Sequence, residues 1–146
     1  MECRLFDGCD VPYERRTFDV AILSHVVEHV GDPRQLLREA ARVARYVFIE
    51  VPLEDVSRHR RDYIPDTVGH INFFSRRTIR WLVQSCGLRV LGQATTNPSK
   101  ATYVYQSGRR GVIQYHVKRL LLKCLPKVAT RHFCYHETLL CESDTG

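Results

Sequence analysis

The run from Phe18 to Val51, FDVAILSHVVEHVGDPRQLLREAARVARYVFIEV, admits few folds. Phe18 to Leu23 is a short, nearly unbroken apolar segment, the pattern of a strand buried on both faces of a parallel sheet. Asp32 reads as a helix N-cap, Pro33 as the first helical residue, and Gln35 stands three positions after the cap, so orphaned amides at the helix start gain partners. Leu36, Leu37, Ala40, Ala41 and Ala44 then recur at helical spacing. Arg34, Arg38, Glu39, Arg42 and Arg45 are left for water or a groove. Tyr46 to Val51 is a second apolar strand, ended by Pro52, which has no amide hydrogen for a ladder. Strand, helix and strand make a βαβ unit, whose two strands lie parallel with a right-handed crossover.

The polar residues Ser24, His25, Glu28 and His29 follow the first strand directly. In open α/β sheets ligands bind beyond the carboxyl ends of the strands, so this cluster stands where chemistry is expected. His25-Val26-Val27-Glu28-His29 also fits the five-residue zinc-peptidase pattern, in which one helix presents two His ligands and a Glu that activates water. Here the five residues come straight off a strand and meet Gly31-Asp32-Pro33 within a turn. No long helix holds them, and only Glu50 or Glu54 is at hand as a third ligand, so no metal is expected from that pattern.

Further along, Met1 to Phe6 has the content of a short strand, and Asp7-Gly8 ends it. Leu53 to Gly69 is polar and without period, as lids and binding loops are. Ser75 caps a helix with Ile79, Leu82, Val83 and Cys86 on one face, and Gly87 suits the left-handed position that closes it. Leu88 to Thr95 is a strand, Ala101 to Gln106 is a short extended segment, and Gly111 to Leu125 is a basic amphipathic helix stopped by Pro126. The inner face of that helix is read as Ile113, Val117, Leu120, Leu121 and Cys124. His132 to Glu142 closes the chain as a strand antiparallel to the one at Leu88.

A chain of 146 residues suits one domain, and 44% hydrophobic with 26% charged residues excludes a disordered or fibrous class. The six cysteines form no CxxC pair and several sit among apolar neighbours, which points to free thiols, a reducing compartment and a cytoplasmic location. No apolar stretch reaches the roughly 18 residues of a membrane span. The net charge of +6 is spread along the chain, apart from Arg58-His59-Arg60-Arg61, Arg76-Arg77 and Arg109-Arg110, and carries no groove-reading motif, so nucleic acid is not expected as a partner.

Taken in order, Asp7-Gly8, Val11-Pro12-Tyr13, Phe18-Asp19, Glu28-His29, Asp32-Pro33, Arg42-Val43 and the strand to Pro52 resemble the carboxyl part of a class I S-adenosylmethionine-dependent methyltransferase of the small-molecule type. GHINFFSRRTIRWLVQSCGLRV, Gly69 to Val90, is similar to that family's later block of His, aromatic, Ser, helix and Gly. Two departures stand out. The usual Pro-Gly-Gly turn before the second strand is replaced by Ala44-Arg45-Tyr46, and the family's glycine-rich loop and ribose-gripping acid would lie before Met1.

The resemblance implies an α/β fold: a partial Rossmann-like methyltransferase sheet, mostly parallel with an antiparallel C-terminal strand. Residues 1–146 would form a single domain, the C-terminal part of a methyltransferase-like fold with a helical insertion at about 107–130. It implies S-adenosylmethionine as cofactor and a small-molecule acceptor. Asp7 and Gly8 would meet the adenine, Ser24 and His25 the methionine end and the acceptor, and His70, with His25 second to it, would be the preferred general base, since imidazole titrates near neutral pH. Each has a plainer reading: an Asp-Gly turn, a helix cap, a structural histidine. The family's first strand would be missing beside Phe18 to Leu23, so the chain is expected to be N-terminally truncated, or to pair that edge in a homodimer or with another chain. The alternative function is a non-catalytic protein-interaction module derived from a methyltransferase.

Overall fold

In the computed structural model, which describes residues 4–6, 10–57 and 69–143, four strands form one sheet. In chain order the elements are β1 (Phe18–Ser24), α1 (Pro33–Val43), β2 (Ala44–Pro52), α2 (Arg76–Ser85), β3 (Leu88–Thr96), α3 (Lys100–Cys124), α4 (Pro126–His132) and β4 (His136–Ser143). The strand order is β1-β2-β4-β3. β1 and β2 pair in parallel, and β4 runs antiparallel to both of its neighbours. Three strands therefore point one way and the C-terminal strand the other, the mostly parallel α/β sheet that the βαβ pattern and the closing strand predict.

Local chemistry sets the helix ends. Asp32 Oδ1 accepts from the amides of both Arg34 and Gln35 at 3.0 Å. Ser75 and Thr78 form a reciprocal capping box, and Gly87 takes φ 77 just past α2. The core lies on one face of the sheet. Ala21, Val47, Cys141 and Val90 align across the four strands, with Leu23, Ile49 and Leu139 in the next row. Leu36, Leu37 and Ala40 of α1 and Ile79 and Val83 of α2 pack on them.

The other face corrects an expectation. β1 is not buried on both sides: Val20 and Ile22 are exposed, and Ile22 leads a row through Phe48 to the exposed Leu140. Among the described residues α1 and α2 join only the opposite side, and β1 has no strand beyond it, so its apolar content meets water on one face.

Three smaller readings also change. Arg4 to Phe6 carry no strand. Ala44 begins β2 instead of ending α1, and the buried place falls to Val43. Glu39 and Arg42 do not simply face water. Arg42 donates to Glu39 and to the carbonyls of Val11 and Tyr13, while Glu39 accepts from the Val11 amide, so the pair ties residues 11–13 to α1. The hydrogen bond from Arg42 is the main reason the Glu39 carboxyl titrates below its ordinary value.

Ala101 to Gln106 is helical, started by Ser99 accepting from the Thr102 amide, and α3 kinks at Gly108, with φ 56 and ψ −135. Gly111 is required just beyond the kink, because a Cβ there would lie 1.9 Å from the Tyr103 carbonyl oxygen. Ile113, Val117 and Leu120 are exposed; Leu121 is the part of the expected stripe that packs inward, with Leu53, Ala129 and Tyr135.

Leu37→Ala, at a site with 0% exposure, is expected to cost about 2–5 kcal/mol in urea unfolding. Ile22→Ala, on the bare face at 69% exposure, is expected to change stability by no more than about 0.5 kcal/mol.

Candidate functional site

The β1/β2 register puts Ser24 opposite Glu50. There the Ser24 hydroxyl donates to Glu50 Oε2 at 2.9 Å, and the His25 amide donates to the Glu50 carbonyl at 2.9 Å. His25 takes φ 53, a left-handed conformation that a non-glycine residue adopts at a cost. The chain therefore turns sharply off the strand end, and Val27 to His29 form a turn closed by His29 N–H to the Val26 carbonyl at 3.0 Å. Because these five residues are not helical, His25 and His29 do not share one helix face, and the zinc-peptidase geometry does not form.

The turn is clamped to the segment leading into α2. The Glu28 carbonyl accepts from the amides of Ile71 and Asn72 at 2.9 and 3.0 Å, while the Asn72 side chain donates to the carbonyls of Val27 and Val30. This clamp brings His70, remote in sequence, against His29, with ring centroids 4.7 Å apart. His70 Nδ1 lies 2.7 Å from Glu54 Oε2, just past the end of β2.

On the other side, β4 starts beside the end of β2, so His136 stands across from Pro52. Its Nδ1 is 3.4 Å from Glu50 Oε1, and its ring meets that of His25 at 4.8 Å. The His25 Nδ1 in turn lies 3.1 Å from Glu28 Oε1, whose side chain is fully buried. Burial, then the nearby His25, lowers the pKa of His136 below the ordinary imidazole value; Glu50 opposes the shift.

The structure thus gathers Ser24, His25, Glu28, His29 and His70 from the sequence reading at one mouth of the sheet. Glu50 and Glu54, named in the sequence only as remote third ligands, carry hydrogen bonds to these groups. His136 was missed. Only the placement of β4 beside β2 brings it in, and no local motif marks it. Asp7 and Gly8, the expected adenine contacts, lie outside the described residues, as do Arg58, Arg60 and Arg61 of the expected binding loop. Among the described residues Cys86, Cys124, Cys134 and Cys141 form no disulfide and none belongs to the cluster.

A family profile described as Methyltransferase domain matches residues 4–93. No curated protein sequence matches the chain. Solved structures similar to it include the 4+2 cyclase SpnF, at 14% identity and TM-score 0.63, covering 98% of this chain and 57% of that one. A SAM-dependent methyltransferase from Methanosarcina mazei matches at 11% identity and TM-score 0.60, over 98% of this chain and 67% of its own. Phosphoethanolamine N-methyltransferase 2 of Haemonchus contortus, solved with phosphomonomethylethanolamine and S-adenosylhomocysteine, matches at 13% identity and TM-score 0.56, over 95% of this chain and 36% of its own. Likeness at these identities is likeness of fold. The chain spans little more than half the length of the cyclase and about a third of the nematode enzyme. Among the described residues no helix is long and apolar enough to cross a membrane.

The lowered His136 pKa sets a pH dependence. The unfolded imidazole, at 6.5, binds its proton more readily than the folded one, so stability is expected to fall as pH drops from 6.5 through the lowered folded value, and to be independent of this group above 6.5. Urea midpoints measured across that range should show a shallower acid loss in His136→Gln than in the parent.

Proposed function

The chain belongs to the methyltransferase domain family, and on that footing we propose that it forms the acceptor-facing part of an enzyme that moves the sulfonium methyl group of S-adenosylmethionine to a small-molecule acceptor. The observation that carries this reading is the turn at Ser24 and His25, at the carboxyl end of a parallel strand and open to solvent on one side. Ser24 and His25 face the methionine end of the cofactor, and Asp7 with Gly8 serves the adenine.

Methyl transfer to oxygen, nitrogen or carbon asks two things of the protein: alignment of acceptor, methyl and sulfur, and removal of a proton where the acceptor carries one. His25 suits the second task. Its side chain is 40% exposed, and its Nδ1 is held by the buried Glu28, which leaves Nε2 to take the proton while the carboxylate stabilises the imidazolium. His70, the other residue expected to transfer a proton, is 8% exposed and paired with Glu54, which suits it to holding the site's shape.

A second reading, a protein-interaction module derived from a methyltransferase, is favoured by one observation: the apolar row Ile22, Phe48 and Leu140 on a sheet face that nothing among the described residues covers.

Calorimetric titration with S-adenosylmethionine separates the two. The methyltransferase reading expects saturable heat, and a loss of turnover of about 10²–10⁴-fold in His25→Ala with cofactor affinity largely retained. Absence of both heat and a thermal shift would favour the interaction module.

A further inference from the structure

Among the described residues, Glu28 carries a buried side-chain oxygen that has no hydrogen-bond partner. Its side chain has 0% exposure, Oε1 is engaged by His25, and Oε2 has no hydrogen-bond partner among the described residues. A buried carboxylate oxygen without a donor carries a desolvation penalty that a cation or a donor offsets.

Two imidazoles stand around it. One ligand-capable atom each of Glu28, His29 and His70 lies within 4.8 Å of the others. The hydrogen bonds behind the rings decide which nitrogens face inward. His29 Nδ1 is 3.2 Å from the Gly69 carbonyl, and a carbonyl only accepts, so the proton sits on Nδ1 and the lone pair on Nε2. His70 Nδ1 faces the Glu54 carboxylate in the same way. An imidazole backed at one nitrogen by a carbonyl or carboxylate is the arrangement that fixes metal-binding histidines in orientation and tautomer.

We propose that Glu28, His29 and His70 bind a divalent first-row transition ion, through Glu28 Oε2 and the two Nε2 atoms. Two imidazoles with one carboxylate suit zinc, iron, cobalt or manganese, whereas magnesium and calcium favour oxygen donors throughout. Three protein ligands leave room in the coordination shell for water or an acceptor oxygen. The site differs from the peptidase pattern in the sequence, because His25 is not a ligand and the third donor comes from a separate segment. It does not rest on methyl transfer, since a chain that bound no S-adenosylmethionine would still hold the ion.

A second trio, His25, Glu50 and His136, also lies within ligand distance, but its acceptors are committed. Glu50 takes the Ser24 hydroxyl and pairs with His136, and His25 Nδ1 is turned to Glu28. That trio supplies the control.

The test is titration of chelator-treated full-length chain with cobalt(II) chloride, read by visible ligand-field absorption and by mass spectrometric metal content. One equivalent is expected to saturate the protein. His29→Ala changes an exposed residue, so circular dichroism should show the fold kept while the absorption is lost. Glu54→Gln should weaken affinity by roughly 10–100-fold by loosening the His70 ring, and His136→Gln should leave binding intact. Absence of saturable binding in the parent chain, full binding in folded His29→Ala, or loss of binding in His136→Gln would each overturn the proposal.

Discussion

The parallel pairing of β1 with β2, in the register that sets Ser24 against Glu50, is the constraint on which the site depends. Side chains alternate faces along a strand, so a slip of one residue would send Ala21 and Leu23 to solvent and bring Val20 and Ile22 onto α1 and α2. The same slip would separate Ser24 and the His25 amide from Glu50. Burial holds the register: the rows through Val47 and Ile49 are closed beneath two capped helices. β4 extends the constraint, since its antiparallel pairing with β2 carries His136 to the end where β1 stops.

From that fixed point the polar turn is built by backbone hydrogen bonds. The Glu28 carbonyl and the Asn72 side chain make four contacts between the turn and the segment before α2. At about 1 kcal/mol net for each, these contacts are of the same order as the roughly 1–3 kcal/mol of leaving one oxygen of a buried carboxylate bare. The left-handed backbone of His25 adds to that cost. Strain and an unpartnered buried oxygen gathered in one turn are characteristic of functional positions rather than of a turn whose only task is to connect two elements.

Local sequence signals made the skeleton legible. Asp32-Pro33, Ser75 and Gly87 each carry a mechanism within one turn of chain, and each takes the place that mechanism assigns. The first strand was legible as a strand but not in its surroundings, because an apolar run does not say which of its faces finds a partner. Glu39 and Arg42 look like surface charges by periodicity, and their ties to residues 11–13 depend on where the preceding arm lies. The break at Gly108 was missed because a helix that resumes after a kink has the same composition as a helix that starts there. At the site, the residues in one stretch were found, as was His70 from the later block, but His136 was not. His25, Glu28 and His29 stand together in sequence, whereas His136 joins them across the antiparallel strand.

Methyl transfer and the role proposed for His25 both require that the turn after β1 be the ligand-facing end of the molecule. Nuclear magnetic resonance titration with S-adenosylhomocysteine measures this directly, residue by residue. The largest amide shifts are expected at Leu23 to His29 and at Ile49 to Leu53, with α3 and α4 little changed. Shifts confined to α3 and α4, with the turn unmoved, would contradict it.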